Sequence, residues 1–350
     1  MKKNGLVILT GIVTGVAALF LAQMGNPANM GFCIACFLRD IAGSLKLDSA
    51  AVVQYMRPEI AGLVLGSLVL SLCYREFKPR GGSSPFMRLV IGFVVMVGAL
   101  MFLGCPLRMV IRLGGGDLNA LVGLLGFAVG IGVGVIALRK GFTLRRKYAQ
   151  PVTEGAAFPA ALAILLIGSL ALPALFAFST EGPGSLRAPV LISLACGLAV
   201  GALAQRSRFC MAGGLRDAML FKDFHLLWGG LALFATLLIG NAVLGKLNVG
   251  FAGQPIAHTD GVWNFLGMVA VGWGSVLLGG CPLRQLVMAG EGDSDAAMAI
   301  VGMVIGAAFC HNFGLASSAN GPTANGMAAV GIGLAALGVI SILNIAKEKA

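Results

Sequence analysis

Ten runs of mostly apolar residues divide this chain, near residues 5–24, 59–74, 87–104, 118–138, 157–178, 188–205, 226–245, 262–280, 295–314 and 323–345. A helix needs roughly 20 apolar residues to cross the hydrocarbon core of a bilayer. Inside that core every backbone N–H and C=O must find its partner within the chain. Runs of this kind therefore have one solution, the spanning helix. Only 11% of the 350 residues are charged, against about 25% in a soluble domain, which is too few to cover a water-facing surface. The sequence predicts an all-α polytopic membrane protein, a single integral domain of about ten spans, the second one short. The first run follows Met1, Lys2 and Lys3 and reads as a retained span, because no small-x-small cleavage site with a soluble domain follows it.

The net charge of +11 does not point to nucleic acid. The basic residues gather in short gaps between apolar runs: Arg75, Lys78, Arg80 and Arg88 after the second, Arg139, Lys140, Arg145, Arg146 and Lys147 after the fourth. Lys2, Lys3, Lys347 and Lys349 make both ends basic. With ten spans, all four groups fall on one side. The opposite gaps, such as STEGPGSLR and GLASSANGPTANG, are poor in positive charge. The positive-inside rule then makes both termini cytoplasmic, in a bacterial inner membrane.

Four further segments, near 31–45, 106–113, 209–221 and 282–289, are too short or too polar to cross. They read as half-helices dipping into the bilayer, and they carry an internal repeat. FCIACFLRD (32–40) returns as FCMAGGLRD (209–217), and GCPLR (104–108) returns at 280–284. The shift of the second pair also carries Gly116-Asp117 onto Gly292-Asp293, and the GxxxG pair Gly126 and Gly130 onto Gly302 and Gly306. Five spans separate the starts of the two copies, and an odd number turns the second copy over. The expectation is a 5+5 inverted repeat, residues 1–155 and 156–350, with a substrate site where broken helices of both copies meet near the midplane.

The repeated motifs supply the candidate chemistry. Proline is favoured at the first position of a helix. Cys105 and Cys281 then fall at N-caps, beside unpaired backbone N–H groups and the positive end of the helix dipole, where an anion is welcome. Arg108 and Arg284 follow one turn later. Cys33 and Cys210 are equivalent thiols of the other motif, and Cys36 is an extra soft group where the second copy has Gly213. The missing fourth sulfur argues against a zinc site, and three scattered histidines argue against haem. No metal or cofactor is expected. Cysteines supplied from both copies suit a pathway of several weak sites.

Arg39-Asp40 and Arg216-Asp217 recur at equivalent places and read as structural or gating ion pairs, locking the half-helices across the repeat interface. Asp117 and Asp293 read as turn or vestibule residues, as do Arg112, Glu291 and Asp295. Asn26, Pro27 and Asn29 precede the first half-helix without a counterpart in the second copy and read as an outer vestibule. Cys73, Cys196 and Cys310 lack repeat partners and read as packing. No phosphate-binding GxxxxGK[ST] loop occurs, so the chain is expected to work without ATP of its own, as a permease and not an enzyme. Two alternatives stay open: a membrane thiol–disulfide oxidoreductase using Cys33 and Cys36, and an unselective small-solute channel.

FCxAxxLRD and GCPLR, each present twice, with the Gly-Asp that follows, resemble the YeeE/YedE family of sulfur-transport membrane proteins. GNPANMGFCIACFLRDIAG is similar to the YedE subgroup, to which selenium transport is attributed. The resemblance implies uptake of a small chalcogen-containing anion, with thiosulfate the substrate of relatives. It implies that membrane-embedded thiols hand the substrate along, a role falling on Cys33, Cys105 and Cys281, with Cys210 as the mate of Cys33. Sulfur chemistry also suggests a cytoplasmic thiol-bearing acceptor protein.

Overall fold

The computed structural model describes residues 4–345; Lys2, Lys3, Lys347 and Lys349 lie outside them. Ten longer helices carry the architecture: α1 (Gly5–Gln23), α3 (Pro58–Cys73), α4 (Pro85–Phe102), α6 (Asn119–Arg139), α7 (Val152–Ala171), α8 (Val190–Ser207), α10 (His225–Val243), α11 (Gly261–Leu278), α13 (Ser294–Asn312) and α14 (Ala324–Leu343). Four short ones sit between them: α2 (Ile34–Ser44), α5 (Pro106–Gly114), α9 (Met211–Phe221) and α12 (Pro282–Gly290). Among the described residues, nine segments are long and apolar enough to cross a membrane. The tenth expected span, α3, has only 16 residues, about 24 Å of helix. The protein is an all-α polytopic membrane protein. Its outer helices turn large apolar side chains outward, among them Ile164, Ile167, Ile239, Val243 and Ile332, as lipid requires.

The breaks have local causes. The α4 helix ends at Leu103 (φ 61°) and α11 at the equivalent Gly279 (φ 83°). The left-handed residue turns the chain, and the next N–H closes the helix end: Gly104 donates to the Ala99 carbonyl at 2.7 Å, Gly280 to the Ser275 carbonyl at 2.9 Å. Proline then opens the short helix at Pro106 and at Pro282.

The copies pack on one another through mirrored crossings. A Cβ at Gly126 on α6 would overlap the Phe265 carbonyl oxygen on α11, and one at Gly302 on α13 would overlap the Leu89 carbonyl oxygen on α4. Phe265 and Leu89 are themselves related by the repeat, so one backbone contact is written twice.

The loops sort onto two faces. On the basic face, β1 (Arg80–Gly81) pairs antiparallel with β2 (Tyr148–Ala149), and the Lys78 and Arg80 N–H groups donate to the Glu291 and Gly292 carbonyls, both at 3.1 Å. On the far face, the Asn248 and Gly250 N–H groups donate to the Gly115 and Gly116 carbonyls, both at 3.0 Å, and Ala177 donates to Ser44 at 2.8 Å. The C-terminal ends of α2 and α5 therefore lie towards the far face and that of α12 towards the basic face. So does that of α9, whose Met219 carbonyl accepts from Arg139 at 3.2 Å. The half-helices of the two copies enter from opposite sides, N-termini inward.

Candidate functional site

Each half-helix begins at a cysteine. Cys33 and Cys210 have extended backbones, and their sulfurs cap α2 and α9 as a serine oxygen would. The Cys36 N–H donates to Cys33 Sγ at 3.3 Å, and the Gly213 N–H to Cys210 Sγ at 3.2 Å. Cys105 and Cys281 stand at the N-caps of α5 and α12 without a side-chain capping bond. Their sulfurs meet the capping sulfurs instead. Cys105 Sγ lies 4.0 Å from Cys33 Sγ, and Cys281 Sγ 3.7 Å from Cys210 Sγ. All four are buried free thiols. The structure thus forms one sulfur pair per copy. Helix α5 touches α9 and α2 touches α12, so half-helices of the two copies meet. A cavity of about 300 Å³, lined by Met109 and Val110 of α5, Cys210 and Met211 of α9, and Phe127 and Phe234 beyond them, opens beside the second pair.

The arginines explain the glycine of GCPLR. A Cβ at Gly104 would lie 2.8 Å from Arg108 Cδ, and one at Gly280 would lie 2.8 Å from Arg284 Cγ. Each arginine stem folds back over the glycine that precedes its own N-cap. From there the two diverge. Arg108 is fully buried. It donates through Nη1 to Cys36 Sγ (3.3 Å) and to the Leu103 carbonyl, through Nε to the Asn29 carbonyl (3.0 Å), and through Nη2 to the Ile256 carbonyl (3.0 Å). Arg284 faces a carboxylate: Nη1 is 3.1 Å from Glu291 Oε1, and Nη2 donates to Oε2 at 3.4 Å.

The paired charges depart from the sequence reading. Arg39 holds its neighbour Asp40 at 2.7 Å, and Arg57 takes the other Asp40 oxygen at 2.7 Å. Arg216 holds Asp217 at 2.8 Å. Both motifs lock their own copy and do not reach across the interface. Arg39 and Arg216 are each taken up by the carboxylate next to them, and the second Asp40 oxygen goes to Arg57 of the same copy. The ion pairs between copies come from the basic-face loops and the helix ends beside them. Arg80 reaches Asp293 at 3.0 Å and Glu291 at 3.4 Å, Lys147 reaches Asp293 at 2.5 Å, and Arg88 lies 3.6 Å from Asp295. Burial pushes the Asp293 carboxyl up, but Lys147 and Arg80 outweigh it and hold it below the ordinary carboxylate range.

Asp117 and Asp293 follow positive-φ glycines, Gly116 (98°) and Gly292 (91°). Asp117 takes Arg112 at 2.7 Å and accepts the Asn119 N–H at 2.9 Å. Asp293 caps α13 by accepting the Ala296 N–H at 3.1 Å. Asn26 is a buried strut rather than a vestibule wall, because its amide donates to Glu59 at 2.8 Å. Cys73 is exposed and Cys310 buried away from the sulfur pairs.

Sequence reading missed Arg57, Glu59 and the Glu291–Arg284 pair. The one visible signal was charge, Arg57-Pro58-Glu59, at the start of an apolar run. Removing the carboxylate that joins Arg39 and Arg57 leaves two buried cations uncompensated, a change worth about 3–5 kcal/mol. Asp40→Asn is expected to lower the melting temperature of the detergent-purified protein clearly, while Asp217→Asn, at a more exposed pair, is expected to shift it little.

Residues 206–346 match a family model described as sulphur transport. A stretch of 107 residues is 32% identical to the thiosulfate transporter TsuA of Escherichia coli (strain K12). That stretch takes in 29% of this chain and 29% of that protein, so the chain matches under a third of the relative's length.

Proposed function

We propose that this chain, which belongs to the YeeE/YedE sulphur-transport family, is an inner-membrane permease that imports a small sulfur- or selenium-containing anion. The observation that carries this reading is the pairing of four buried thiols, two by two, at the inward N-termini of four half-helices. Each N-terminus presents roughly half a positive charge, which favours an anion. Each thiol offers a weak S–H donor and a polarisable sulfur, which suit the soft end of a thiosulfate or selenium analogue better than they suit an all-oxygen anion. Two such stations, neither a tight cage, meet the requirement that an ion bind well enough to enter and weakly enough to leave.

In this reading residues 1–155 and 156–350 are the two oppositely oriented copies, and the basic face is cytoplasmic. The substrate passes from the Cys33–Cys105 pair, with Cys36, to the Cys210–Cys281 pair. A thiol-bearing acceptor on the cytoplasmic side would keep the internal concentration low. The similarity to a thiosulfate transporter supports the substrate class.

The test is uptake of radiolabelled thiosulfate by proteoliposomes of the purified chain, with selenite, selenide and sulfate as competitors. Accumulation suppressed by thiosulfate and by selenium species, but not by sulfate, is the expected result. Equal competition by sulfate would leave the unselective channel. Reversible thiol oxidation without uptake would leave the oxidoreductase.

A further inference from the structure

The two stations are built from one motif but do not carry the same charge. Arg108 and Arg284 occupy equivalent positions, each folded over its own glycine. Among the described residues no carboxylate lies within 4.0 Å of Arg108, and its donors go to three carbonyls and the Cys36 sulfur. The fully buried carboxylates of the first copy face elsewhere: Asp40 takes Arg39 and Arg57, Asp117 takes Arg112, and Glu59 accepts from Asn26 and Ser193 through Oε1 while its Oε2 has no partner among the described residues. In the second copy, Glu291 is almost fully buried and its carboxylate is shared by three arginines: Oε1 lies 3.1 Å from Arg284 and accepts from Arg208 at 3.0 Å, and Oε2 accepts from Arg284 and Arg80, both at 3.4 Å. The position equivalent to Glu291 is Gly115, where a Cβ would come within 2.7 Å of Asn29 Oδ1. The position equivalent to Cys36 is Gly213. The first copy therefore has a thiol where the second has none, and lacks the carboxylate that the second has.

A buried cation without a counter-ion is expensive in a membrane unless something completes it. We infer that the Cys33–Cys36–Cys105 station, with Arg108, is the high-affinity anion site, that the Cys210–Cys281 station is the release site, and that Glu291 makes it one by occupying Arg284. The arriving anion supplies the missing negative charge at Arg108. At the second station Glu291 already stands against Arg284, so the anion meets a partly compensated cation beside the thiols and helix ends and passes on towards Arg208 and Arg80 on the basic face. The asymmetry leaves the equilibrium across the membrane untouched. It makes half-saturation tighter from the side of the first station and turnover faster towards the other.

This inference rests on the permease reading, and the test separates the two. Thiosulfate and selenite binding to the full chain in nanodiscs is measured alongside proteoliposome uptake. Arg108→Gln is expected to weaken binding at least tenfold, and Arg284→Gln less than threefold. Glu291→Gln, which frees Arg284, is expected to tighten binding several-fold while turnover falls. Equal weakening by Arg108→Gln and Arg284→Gln would overturn the asymmetry. If Arg108→Gln does not survive gel filtration, the Glu291→Gln arm decides: tighter binding with slower turnover supports the assignment, and unchanged affinity overturns it. Should the unaltered chain bind neither probe, the permease reading itself fails.

Discussion

A leucine at position 302 is expected to leave almost no folded protein in the membrane. Gly302 on α13 rests against the main chain of α4 at Leu89, so even a methyl group there overlaps a carbonyl oxygen. Gly126 on α6 makes the equivalent contact with Phe265 on α11. Main chain cannot turn aside as a side chain can, so a bulky residue at either place must force two helix axes apart. In lipid, helix association depends on such close approach. The loss spreads, because α4 leads directly into Cys105 and α11 into Cys281. Gly302→Leu and Gly126→Leu should each abolish the monodisperse gel-filtration peak. Gly132→Ala and Gly331→Ala, where a Cβ meets nothing within 4 Å, should leave the peak unchanged. Normal assembly of Gly302→Leu would mean that the crossing between copies is looser than this packing describes.

The second large effect concerns the sulfurs. Cys105→Ala combined with Cys281→Ala removes one partner from each sulfur pair while sparing the two thiols that cap α2 and α9. Uptake of thiosulfate or selenite by that variant should fall at least a hundredfold, with membrane abundance unchanged. Cys73→Ala, at an exposed thiol remote from both pairs, should transport normally. Because the capping bonds survive, the double variant separates chemistry from folding better than Cys33→Ala would. Full uptake by the double variant would take these thiols out of the pathway.

Much of this arrangement was legible in the sequence, for physical reasons. Pro106 and Pro282 favour the first turn of a helix, and the breaks fall where that preference puts them. The repeat offset tied Cys105 to Cys281 and Cys33 to Cys210 by equivalence. Equivalence is not proximity, however. Spacing fixes which face of a helix a residue occupies but not which other N-terminus it meets, and Cys33 proved to meet Cys105 of its own copy. The ties between copies were hidden for a similar reason. Arg80, Arg88 and Lys147 read as orientation signals, because a basic loop residue looks the same in sequence whether water or Asp293 faces it. Glu291 was visible as a charge, but its pairing with Arg284 depends on the path of a helix end that no spacing reports.

The two seams between the copies share main-chain bonds, and one of them adds charge. On the basic face Lys78 and Arg80 donate main-chain bonds to the Glu291 and Gly292 carbonyls, and the side chains of Arg80 and Lys147, both partly open to water, also hold Asp293. On the far face they are fastened by peptide-to-peptide bonds joining Asn248 and Gly250 to Gly115 and Gly116. Dissolved ions weaken the ion pairs within a Debye length of about 8 Å at physiological ionic strength, and leave the main-chain bonds of both faces alone. The basic-face seam therefore has a salt-sensitive part and the far-face main-chain bonds do not, so loosening of assembly by added salt reports on the basic face.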